Sequence, residues 1–109
     1  MEITSSNKND TLIVNLTGSL DIYTATEFKN FVESRAPEVK SVIINMENLH
    51  YMDSSGIGVL IRTMNSVKEL NIFFKIAFIP PQINRIFKVA GLLTYFQIMS
   101  DEEFKENYG

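Results

Sequence analysis

Two serines and two glycines in Asp53-Ser54-Ser55-Gly56-Ile57-Gly58-Val59-Leu60 are the residues of this chain best placed to do chemistry. Upstream lies a β-branched apolar run, Ser41-Val42-Ile43-Ile44-Asn45-Met46, and downstream Ile57, Leu60, Ile61, Met64 and Val67 recur at helical spacing. The hydroxyls therefore fall where a strand hands over to a helix. A first helical turn offers free backbone N–H groups and the positive end of the helix dipole, which together favour an anion, including a phosphate carried by a serine. A serine switched by phosphorylation is the leading expectation. The competing one is that Ser54 or Ser55 is simply the helix cap. Gly56 and Gly58 each give up about 1 kcal/mol relative to alanine in a helix. Their presence points to close approach of another backbone, from a strand beneath or from a partner outside.

Other chemistries have less behind them. Asp21 and Asp53, placed in turns that each follow a strand, could suggest a magnesium site, but two carboxylates alone are weak evidence for a metal and both residue types favour capping and loop hydrogen bonds. His50 is the only histidine and the only candidate base beside the serines. No G-x-S-x-G elbow surrounds them, and His50 reads more simply as a polar residue of the strand-to-helix loop. A phosphate loop is absent, and Gly56-x-Gly58 lacks the third glycine of a dinucleotide fingerprint. With no cysteine there is no thiol chemistry and no His/Cys cluster for zinc. Neither an enzyme activity, a cofactor nor a metal is expected.

The elements that must position these residues follow from punctuation and periodicity. Residues 2–6 predict a weak first strand and residues 11–17 a stronger one ended by Gly18, with a hairpin turn over 7–10. Thr24-Ala25-Thr26-Glu27 matches a capping box, and Phe28, Phe31 and Val32 continue it as a helix that stops near Arg35, before Pro37. A strand over 41–46, a helix over 54–69 and a buried strand over 72–79 come next. Pro81 and Gly91 bracket a third helix, residues 95–99 make a last short strand, and Ser100-Asp101-Glu102-Glu103 opens a final short helix. This alternation predicts an α/β fold with a mixed, mostly parallel sheet, crossover helices and an antiparallel edge strand. Functional groups in such sheets gather at the carboxyl ends of strands, where the turns 18–23 and 51–56 both lie. On the helix over 54–69, Ile57, Leu60, Ile61, Met64 and Val67 take the core side. Ser55, Gly58, Arg62, Ser66 and Glu69 are left facing outward, as a docking surface or an ordinary solvated face.

At 109 residues with 45% apolar content, the chain fits one domain spanning 1–109 that can bury a core without staples. Thirteen acidic against ten basic residues give a formal charge of -3, and the basic ones are scattered, which argues against nucleic acid as a partner. No segment approaches the roughly 18 apolar residues of a membrane span and the N-terminus lacks a signal-peptide pattern, so a cytoplasmic protein without membrane insertion is expected.

Three segments resemble the STAS domain family, in particular the small single-domain anti-sigma factor antagonists of bacteria: Thr17-Gly18-Ser19-Leu20-Asp21, Tyr51 to Leu60, and Pro81 to Leu92. The resemblance implies a single STAS-type domain with helices packed mainly on one face of the sheet. It further implies that Ser54, the serine after the aspartate, is phosphorylated by an anti-sigma factor serine kinase. The unphosphorylated form would bind that kinase and free the sigma factor, and a metal-dependent protein phosphatase would reset the switch. Asp21, Asp53, Ser55, Gly56, Gly58 and Arg62 would then surround Ser54 on the partner-binding surface. Asn71 stands where relatives often have glycine, a mild departure because asparagine also tolerates the left-handed conformation. Alternatives are a non-phosphorylated STAS adaptor in a transport or signalling assembly, and a small-molecule or nucleotide sensor.

Overall fold

The computed structural model describes residues 1–109. Its strands are β1 (Glu2–Lys8), β2 (Thr11–Leu20), β3 (Ser41–Met52), β4 (Phe73–Ala77) and β5 (Gln97–Met99). The helices are α1 (Ala25–Arg35), α2 (Ser54–Glu69), α3 (Pro81–Val89) and α4 (Asp101–Tyr108), and a 3-10 turn over Ala36–Glu38 ends α1. The five strands lie side by side in chain order. β1 runs antiparallel to β2 and every other neighbouring pair is parallel, so the expected mixed sheet with an antiparallel edge is the one formed. Asn9 and Asp10, at φ of 55° and 59°, turn the β1–β2 hairpin in two residues. Both side chains tolerate the left-handed region that a tight hairpin turn of this hand requires.

Strand alternation divides the sheet. Leu12, Val14 and Leu16 of β2, Val42, Ile44 and Met46 of β3 and Phe74 and Ile76 of β4 face one side. There they meet Phe28 and Val32 of α1, Leu60, Met64 and Val67 of α2, and Ile83 and Phe87 of α3 in one continuous core. Ile43, Ala77 and Met99 face the other side, where α4 covers them with Phe104 and Tyr108. Three of the four helices thus share one face, as expected.

Two expectations are corrected. The alternation in β3 breaks after Met46, which reads as the end of a strand, yet β3 continues to Met52 and β2 past Gly18 to Leu20. The register slips between Asn15 and Thr17 and again between Gly18 and Ser19, each time inserting one extra residue into β3. These bulges rephase the strand so that Leu49 and Met52 still point into the core. Gly18, opposite Leu49 at the second slip, takes φ 106°, a conformation that favours glycine. The second correction concerns the Thr24 capping box, whose side chain makes no cap hydrogen bond at α1. The hydroxyl donates instead to the Ser19 carbonyl at 2.9 Å and accepts from the Asp21 N–H at 3.0 Å, which ties it to the preceding loop and away from the helix.

Candidate functional site

Leu20 pairs with Met52, so β2 and β3 leave the sheet together, and Asp21 and Asp53 are the first residues beyond their paired ends. Asp21 organises its own loop. Its Oδ1 accepts from Tyr23 N at 2.9 Å and Thr24 N at 3.2 Å, and its backbone N–H donates to Thr24 Oγ1 at 3.0 Å. Asp53 organises the next one, its Oδ1 accepting from Gly56 N at 3.0 Å as the N-cap of α2. Asp53 thus caps α2 while Asp21 ties its own loop together, and no group of three or more potential metal ligands forms anywhere in the molecule.

With Asp53 as cap, Ser54 and Ser55 are the first two residues of the helix proper, and neither is the cap that their position allowed. Ser54 is exposed and Ser55 half-buried. The side-chain hydrogen bond of this turn belongs to Asp53, which leaves both serine hydroxyls without a protein partner. His50, expected in the loop, lies within β3, and no base is hydrogen-bonded to either serine.

The two glycines separate in role. Gly56 is expected on the partner surface but is buried, because an added Cβ would lie 2.1 Å from the Leu20 carbonyl oxygen and 2.8 Å from Met52 Cγ. The backbone it approaches is the strand beneath. Gly58 is half-buried, and a Cβ there would meet only the flexible guanidinium of Arg62, at 3.1 Å. Arg62 is exposed, takes part in neither ion pair of the molecule, and folds its charge back to within about one helical turn of Ser54.

Sequence reasoning missed the rim of this site. Ile22, Tyr23 and Tyr51 are 66%, 91% and 54% exposed on the two segments that carry Asp21 and Asp53. Large apolar residues within two positions of Asp21 and Asp53, where the strands end, are the signal that could have found them. The site thus brings together a free hydroxyl at a helix start, one nearby cation and an apolar rim.

The STAS domain family model matches residues 2–104. The chain belongs to this family. Among its relatives, the anti-sigma-B factor antagonist of Staphylococcus aureus (strain NCTC 8325 / PS 47) is 30% identical over 80 residues, covering 72% of this chain and 74% of that protein. The anti-sigma-B factor antagonist of Bacillus subtilis (strain 168) is 29% identical over 97 residues, 89% of this chain and 88% of the other. Among solved structures, the STAS fold seen here is similar to that of the anti-sigma factor antagonist SpoIIAA of Bacillus. The unphosphorylated form superposes with a TM-score of 0.77 at 21% identity, over 96% of this chain and 94% of the other. Its phosphorylated form gives 0.72 at 21% identity, over 96% and 97%. As a STAS domain, the chain has no helix long and apolar enough to cross a membrane.

Proposed function

We propose that this STAS domain is an anti-sigma factor antagonist gated by phosphorylation of Ser54. In the unphosphorylated state the surface formed by Asp21, Asp53, Ser54, Ser55, Gly58 and Arg62, with Ile22, Tyr23 and Tyr51 at its rim, docks on an anti-sigma factor serine kinase. That contact frees the sigma factor. Phosphorylation adds about -1.5 to -2 charge and three acceptor oxygens beside Asp53 and in the neighbourhood of Asp21. Like-charge repulsion and the desolvation of the phosphate then oppose docking, and a metal-dependent phosphatase restores the hydroxyl. The fold tolerates the added group, because the helix dipole at the start of α2 and the Arg62 guanidinium both favour negative charge there.

The single observation that carries this reading is the Ser54 hydroxyl: exposed, at the first position of α2, and free because Asp53 does the capping. Two variants test it. Ser54→Ala is expected to keep kinase binding and to take up no phosphate, and Ser54→Asp to weaken binding about tenfold or more by calorimetry. Intact-mass measurement after incubation with the cognate kinase and ATP reads the first outcome. Full phosphate incorporation into Ser54→Ala would sink the assignment.

A further inference from the structure

At the end of α2 remote from Ser54 the molecule holds a cavity of about 470 Å³, inside the size range of small-ligand sites. Its α2 lining residues, Met64 and Lys68, stand about 15 and 21 Å along the helix from Ser54 at about 1.5 Å per residue, so it lies outside the proposed docking face. Its floor is apolar, from the buried side chains of Ile72, Phe74 and Phe96. One large side chain stands at its mouth while still exposed, Tyr95 at 48%, whereas strand alternation turns the Phe73 ring to the face opposite Phe74. The site is thus lined on several sides by aromatic rings, and Tyr95 already meets Phe96 edge-on with 5.6 Å between centroids.

One charge faces this slot. Lys68 is the only ionisable lysine, arginine or acid among the lining residues, and it belongs to neither of the molecule's ion pairs. Asn71, Thr94 and Gln97 add neutral hydrogen-bonding groups to the lining. We propose that this cavity binds an aromatic monocarboxylate. The ring enters among Phe74, Tyr95 and Phe96, where offset or edge-on packing is favourable, and the carboxylate meets the Lys68 ammonium at the rim. An aliphatic ligand would forgo the ring contacts, and a neutral ligand would leave Lys68 without a partner. A dianion would place its second charge against an apolar wall or near the carbonyl end of α2, and both positions disfavour it.

Lys68 also complements the carbonyl end of α2, so the experiment must read ligand charge directly. The full chain, isotopically labelled, is titrated with naphthoate and separately with its neutral amide at low salt, and amide chemical shifts are followed. Shifts confined to the end of α2, the start of β4 and residues 94–97 are expected, with naphthoate binding about threefold tighter than the amide, the scale of one exposed ion pair. Lys68→Met should erase that preference while leaving amide binding intact. Tyr95→Ala, at a half-exposed position of the lining, should weaken both ligands. Absence of shifts, shifts mapping elsewhere, equal binding of the two ligands, or a preference that survives Lys68→Met each overturns the proposal. Ser54 takes no part in any of these readouts.

Discussion

Gly56 and Thr63 show at the residue scale how tightly α2 is seated. An alanine placed in a helix interior in exchange for glycine normally gains about 1 kcal/mol. At position 56 the new Cβ would lie 2.1 Å from the Leu20 carbonyl, and backbone cannot step aside as a flexible side chain can. Gly56→Ala is therefore expected to reverse the usual sign and lose about 2 kcal/mol or more, as overpacking does. Urea unfolding followed by circular dichroism checks this, and an unchanged or raised midpoint would refute the close-packing account. Thr63 presents the opposite case, since its Oγ1 is buried without a hydrogen-bond partner. Thr63→Val keeps the shape and removes the unsatisfied hydroxyl, so a gain of about 1 kcal/mol is expected, read as a rise in Tm. The same scale explains what sequence could not decide about the serines. Asp53, Ser54 and Ser55 are all good caps by residue type. Only the path of the chain out of β3 makes Asp53 the one that caps.

Between elements, the strand and helix order was legible because each boundary carries a local mark, such as Pro81 before α3 and Gly91 after it. The full lengths of β2 and β3 were not, because the core positions of β3 run 42, 44, 46, 49 and 52, a spacing that no single period describes. Bulges depend on the partner strand, so they lie beyond a local reading. The packing of α1 offers a prediction in pH. Glu33 accepts a hydrogen bond from Lys29 at 2.8 Å, which holds its carboxyl below the ordinary carboxylate range. Partial burial works the other way, and Ser66 of α2 adds a smaller lowering. The folded chain then gives up this proton more readily than the unfolded chain, so the pair stabilises above about pH 4.5 and the contribution fades as pH falls through the lower folded value. Both side chains are about one-third exposed, which limits the effect to under about 1 kcal/mol. Glu33→Gln should accordingly be slightly less stable than the parent near pH 7, with the gap narrowing as pH falls below about 4.5, as measured by denaturation at each pH.

Across the whole molecule, the residues proposed to switch and those proposed to bind an aromatic acid occupy opposite ends of α2, with the core between them. The switching end carries Ile22, Tyr23 and Tyr51 exposed at a rim that the fold does not require. Tyr23→Ser and Tyr51→Ser should shift unfolding by no more than about 0.5 kcal/mol. Each should nonetheless weaken kinase binding about tenfold, as exposed aromatic anchors of an interface do. Calorimetry on the pair would settle this, and unchanged affinity would remove the rim from the docking face. The contact between Gly56 and the Leu20 carbonyl then acquires a meaning in time. It fixes the loop after β2 against the first turn of α2, so the two halves of the proposed face hold their relative positions before any encounter. Little ordering is left for the moment of contact. A partner docking on the proposed face would not wait for it to assemble, and the proposed Ser54 phosphate would act chiefly on how long the two molecules stay together.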